Sequence, residues 1–316
     1  MQLLSITRKS AAMALLLLVA IVVAATVRHH FAPYDVEMAS NTTHSAWYLC
    51  LEVLMFFCTG SIQGRILSRA GLNFGHSSQP IPIYGALACG IFMAPEPLAV
   101  ATAAFCFAEA INLMLKSLHN ADEKDSLFFA SMLLGVSVLC YAPCIVLFAI
   151  IPIAILNLSL SFRQMVVMVA GYLLPLFAAS YIYWYGGGEF AEFWTNLFSQ
   201  LSLSQEVAFG QIPYLALAMV VVVVVLLLGG GLYSTMRSSR ITLSMRNRRA
   251  LYFLLLVLMV TLTMLLIPST DVSMLAIVAV PATLLLGFVL GVLPDNLSTI
   301  AYWVVLALFV AHLFVA

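Results

Sequence analysis

From Ser10 to Val27 the chain runs eighteen residues without a charge. That is close to the ~20 apolar residues a helix needs to cross the hydrocarbon of a bilayer. The pattern repeats. Further apolar runs lie near 46–60, 81–94, 97–115, 126–141, 143–160, 164–183, 212–231, 250–267, 272–291 and 298–315, eleven in all with 10–27. The chain is 64% hydrophobic and 8% charged, whereas a soluble domain carries about a quarter charged residues. No soluble fold hides that much apolar surface, so the solvent is lipid. The expectation is an all-α polytopic transmembrane helix bundle, one integral membrane domain over 1–316. The first run, behind Arg8-Lys9, has the look of a signal peptide. Because more spans follow, it reads as an uncleaved signal anchor.

Charge gives the direction. With the N-terminus in the cytoplasm and strict alternation, Arg8, Lys9, Arg65, Arg69, Lys116, Lys124, Arg163, Arg237, Arg240, Arg246, Arg248 and Arg249 all fall inside. Only Arg28 of the 13 basic residues falls outside, as the positive-inside rule requires. One missed or extra span would reverse everything after it. The C-terminus is then expected outside. Between 268 and 297 only Asp271 and Asp295 carry charge, so alternation alone orients that stretch. A bacterial inner (plasma) membrane is the expected location, with membrane lipids as obligatory partners. The formal net charge of zero argues against nucleic acid, which wants a basic face.

The outer loop 28–45 holds the one cluster of polar chemistry on its side of the membrane. Asp35 and Glu37 are the candidate catalytic carboxylates, and Arg28, His29 and His30 candidate substrate-binding groups. Arg28 can neutralise a phosphate. His29, His30 and His44 can move protons or, with a carboxylate, bind a divalent metal, the one cofactor the loop suggests. The bland reading is a solvated loop that caps the following helix. Glu52, about two turns into the second span, is a further candidate for the same pocket. Glu109 and Asn112 are the membrane-embedded polar pair of the fourth span, with Lys116 on the same face. No zinc or iron–sulfur spacing occurs, and no Walker, dinucleotide or nucleophile-elbow motif, so a nucleotide is not expected. Cys140 and Cys144, around Tyr141-Ala142-Pro143, have poor spacing for a disulfide.

After Gly186-Gly187-Gly188, apolar residues recur at Phe190, Phe193, Trp194, Leu197, Phe198 and Leu201. That is a helical stripe, and it predicts an amphipathic helix near 189–201. The helix either lies in the outer membrane–water interface or packs on the bundle.

Several motifs resemble an uncharacterised family of bacterial inner-membrane proteins: Arg69-Ala70-Gly71-Leu72-Asn73, Ser78-Gln79-Pro80-Ile81-Pro82, Ser131-Met132-Leu133-Leu134-Gly135 leading to Tyr141-Ala142-Pro143, and Arg163 with Gly171-Tyr172-Leu173-Leu174-Pro175. The likeness covers roughly 10–190 and implies no activity. The topology more loosely resembles the GT-C glycosyltransferases, which use polyprenyl-phosphate-linked sugars. In them the first outer loop carries an acidic base or metal ligand, which matches Asp35 or Glu37. This first loop is much shorter than theirs, and no large soluble domain is expected after the bundle. The resemblance implies an outer-leaflet transfer in envelope glycan or glycoprotein assembly. Arg28 would hold the phosphate, Asp35 or Glu37 would deprotonate the acceptor, and Glu52 would support the pocket floor. Two other classes compete. A transporter or lipid-carrier flippase would work through midplane charge such as Glu109, and an envelope-assembly scaffold through neither site.

Overall fold

The computed structural model describes Leu16, Val19, Ala20 and residues 46–69, 80–88, 97–117, 124–158, 160–199, 245–264, 274–293 and 295–315. The expected span 212–231, the loop 28–45 and all but three residues of 10–27 lie outside the described residues. Within them the elements are α1 (Ala46–Arg69), α2 (Pro80–Leu87), α3 (Pro97–Ser117), α4 (Lys124–Cys140), a 3-10 helix (Ala142–Ala149) running into α5 (Ile150–Leu158), α6 (Phe162–Tyr185), α7 (Phe190–Ser199), α8 (Met245–Thr263), α9 (Leu275–Val292) and α10 (Asp295–Val315). No strand occurs among the described residues, in keeping with the all-α expectation. Three helices are long and apolar enough to cross a membrane: α1 from Cys50, α3 from Leu98, and α6. Cys140 and Cys144 are free thiols.

Several elements differ in length from the apolar runs that announced them. Helix α1 does not stop at residue 60. It continues through Gly60, Gly64 and Arg65 to Arg69, because that last stretch keeps a buried face at Ile62, Gln63, Ile66 and Leu67. Its basic end complements the helix dipole. The expected span 81–94 is helical over Pro80–Leu87, and 89–96 lie outside the described residues. The expected span 143–160 begins as a 3-10 helix with Pro143 in its first turn. Eight residues at a rise of ~2.0 Å extend about 16 Å, so this segment and α5 together reach about 30 Å, the hydrocarbon thickness.

The described surface has the polarity of a protein dissolved in lipid. On α1 the exposed residues include Trp47 (80%), Leu51 and Leu54, while Glu52, Thr59 and Gln63 are buried. On α6 Phe162, Val166, Leu174, Phe177 and Ile182 are exposed while Ser180 is buried. On α8 Tyr252, Leu255, Leu256 and Met259 face out and Thr261 faces in. A water-soluble bundle arranges these classes the other way round.

Contacts fix helix directions. Gln63 meets Thr283 and Leu67 meets Gly287, so α1 and α9 run parallel. Arg69 meets Asn112 where both helices approach their C-termini, so α1 and α3 run parallel. Phe56 meets Tyr84 and Gly60 meets Ile81, so α2 runs antiparallel to α1. Its first turn lies level with the middle of α1. Helices α4 and α6 are parallel and very close. A Cβ on Gly135 would collide with the Tyr172 carbonyl and the Pro175 ring, and one on Gly171 with Ser131 Oγ and the Phe128 carbonyl. Small residues that let backbones touch are how helices associate in lipid, where no hydrophobic force brings them together.

Candidate functional site

Helix α1 places Glu52, Phe56, Thr59 and Gln63 at i, i+4, i+7 and i+11, a stripe within ~60° of arc at 100° per residue. The stripe is buried: Glu52 is 2% exposed, Thr59 1% and Gln63 0%. Helices α2 and α9 pack beside it. The Phe56 and Tyr84 ring centroids lie 5.6 Å apart. Thr59 Oγ1 donates to the Met55 carbonyl at 2.8 Å, and the buried Tyr84 hydroxyl finds its hydrogen-bond neighbour in Thr59. From α9, Thr283 Oγ1 donates to Gln63 Oε1 at 2.7 Å.

Two polar groups of this seam have no hydrogen-bond partner among the described residues. Gln63 Nε2 is fully buried and unbonded among the described residues. Turning the amide over would give Nε2 to Thr283 and leave Oε1 free, so one end stays open in either orientation. Among the described residues no hydrogen bond reaches the Glu52 carboxylate either. An orphaned buried polar group costs about 1–3 kcal/mol. Such groups are retained where water or a ligand meets them.

The other sequence candidates divide. Glu109 and Asn112 come together as the spacing suggests: Asn112 Nδ2 lies 3.1 Å from both Glu109 oxygens. The structure adds Arg69, whose Nη1 donates to Asn112 Oδ1 at 3.0 Å. Arg69 had read as a loop residue, and here it ends α1. The result is a satisfied chain that ties the basic ends of α1 and α3. Arg28, His29, His30, Asp35 and Glu37 lie outside the described residues. No group of three or more His, Cys, Asp or Glu able to hold a metal occurs among the described residues.

The predicted amphipathic helix is present as α7. Gly187 reverses the chain after α6 with φ of +97°, a conformation side-chain-bearing residues rarely adopt. Trp194 packs edge-on to Phe177 at 5.5 Å and to Phe193 at 5.7 Å, and Tyr183 OH donates to Glu192 Oε2 at 3.0 Å. Leu197 is buried while Phe190 and Phe198 stay exposed. The helix therefore rests on the end of α6 and still presents aromatic surface.

Thr59, Gln63, Tyr84 and Thr283 were missed by sequence reasoning. The signal was available for Thr59 and Gln63, which follow Glu52 at helical spacing. Ending the span at residue 60 hid it. No protein family, no curated protein and no solved structure matches this chain.

Proposed function

We propose that this chain is a multi-pass protein of the bacterial inner membrane that carries a polar solute or a lipid-linked headgroup through its helix bundle, with Glu52 as the working residue. The observation that carries this reading is a buried carboxylate with no hydrogen-bond partner among the described residues, on a helix that turns Trp47, Leu51 and Leu54 outward. Ionisable groups at membrane depth are costly and mark substrate or ion paths. The eleven-span topology, N-terminus cytoplasmic and C-terminus outside, is part of the proposal. The helix directions support it: α1 and α9 would be the second and tenth spans and must run parallel, as they do. That parity needs a crossing between α6 and α8, where the apolar run 212–231 lies. The topology also puts Arg65, Arg69, Lys116, Arg163, Arg248 and Arg249 on the cytoplasmic side.

One observation favours a second reading, a GT-C-like transferase using a polyprenyl-phosphate-linked sugar at the outer leaflet. Helix α7 is an aromatic amphipathic helix lodged at the end of α6 opposite Arg163, where such a lipid would enter. In this reading Asp35 or Glu37 is the base and Glu52 lines the pocket.

Complementation of a deletion strain separates the two. If the protein is a carrier, correctly inserted Glu52→Gln fails to restore growth and the pair Asp35→Asn, Glu37→Gln succeeds. Full rescue by Glu52→Gln would reject the carrier. Failure of the loop pair would favour the transferase.

A further inference from the structure

We propose that the α1 seam is a proton path, and that protons are the coupling ion of the carrier on whose reading this rests. The stations are Glu52, then Thr59 with Tyr84, then Gln63 with Thr283. Along α1 they are separated by about 10 Å and about 6 Å at 1.5 Å per residue. That spacing rejects a single coordination sphere, whose ligands lie within ~2.6 Å of one ion. It fits a file of waters bridging hydroxyl, amide and carboxyl groups.

Three features point to protons. Glu52 is the only carboxylate on the stripe, and a lone carboxyl can take up and release a proton. Thr59 spends its one proton on its own helix carbonyl and Thr283 spends its own on Gln63, yet each keeps lone pairs to accept from water. The open end of the Gln63 amide adds a fixed polar group that no atom of the described residues answers. A structural amide would have been satisfied on both ends or replaced by leucine.

The titratable groups on the elements packed against α1 are few. Among the described residues they are Tyr84 on α2 and Cys106, Glu109 and Lys116 on α3; α9 has none. Glu109 is engaged with Asn112, and Cys106 lies near Cys144 and Cys140. Glu52 and Tyr84 are the two that share the seam.

The test uses the full chain in phosphatidylethanolamine–phosphatidylglycerol vesicles loaded with potassium and a pH-sensitive dye. Valinomycin imposes an interior-negative potential, and interior acidification is read. The expected wild-type rate exceeds that of protein-free vesicles, Glu52→Gln falls to the protein-free rate, and Gln63→Leu loses about tenfold, the weight of one hydrogen bond. Glu52→Asp keeps a measurable rate, which separates a lost proton carrier from a misfolded bundle. Glu109→Gln stays at the wild-type rate. Wild-type protein at the protein-free rate would overturn the proposal, as would monodisperse Glu52→Gln and Gln63→Leu at the wild-type rate. The carrier reading fails separately. If Glu52→Gln abolishes complementation with proton flux untouched, the proton path falls and the carrier stands. If Glu52→Gln loses proton flux and complements fully, the carrier falls.

Discussion

Two seams inside this bundle solve the same packing problem in different ways. Between α4 and α6 the helices meet backbone to backbone at Gly135 and Gly171. The polar side chain at the Gly171 contact, Ser131, returns its hydroxyl to the Phe128 carbonyl at 2.9 Å, and the Tyr172 hydroxyl donates to the Ile145 carbonyl. Between α1, α2 and α9 the contact also includes close approaches, at Gly60 and Gly287. Yet it buries a carboxylate, an amide, two threonines and a tyrosine, and among the described residues it leaves two of those groups open. The difference separates holding from working. Lipid offers no reason to bury polar groups between helices unless they are satisfied or used.

The largest effect is expected where the comparison is purely steric. Gly135→Leu drives a side chain into the Tyr172 carbonyl and the Pro175 ring, which backbone cannot yield. Overpacking costs about 1–3 kcal/mol or more. Monodisperse protein in detergent should fall by at least about tenfold, read by size-exclusion chromatography. A wild-type yield would mean that α4 and α6 are not in contact.

Next comes Glu52→Gln, which keeps shape and loses charge. Complementation should be lost while the melting temperature stays within about 3 °C of wild type, because no described protein partner is removed. Melting far below wild type would make Glu52 a structural residue and erase the contrast between the seams.

A smaller effect is expected at the cytoplasmic end. Glu109→Gln retains an acceptor for Asn112 and leaves the Arg69–Asn112 bond intact. Growth should be unaffected and stability lowered by less than about 1 kcal/mol. Loss of growth would move the working site from α1 to α3. The smallest belongs to Tyr183→Phe, which removes an exposed hydrogen bond to Glu192. A melting shift of no more than about 2 °C is expected, with α7 still held by Trp194 and Leu197.

Much of this was legible in the residues, for definable reasons. Apolar run length announced the helices, since lipid leaves few alternatives. Glycine and the spacing of Phe190, Phe193, Trp194 and Leu197 announced α7. The pairing of Glu109 with Asn112 followed from i+3 geometry. What was not legible came from other helices. Thr283 lies 220 residues from Gln63, and Arg69 reached Asn112 from 43 residues away. No local pattern encodes such contacts. Helix α1 was read too short because Arg65 and Arg69 look like loop residues. In fact their charges sit on the exposed side while Ile66 and Leu67 keep the helix packed. The loop carboxylates Asp35 and Glu37 stand as sequence candidates only.

The claim at the centre is that the α1 seam keeps open polar groups for work and not for stability. Gln63→Leu tests it most directly, because the substitution removes the orphaned amide and fills its place with hydrocarbon. Melting temperature and complementation are measured on the same purified and expressed variant. The account predicts a melting temperature at or above wild type together with loss of complementation. A melting temperature several degrees lower, or growth restored in full, would contradict it.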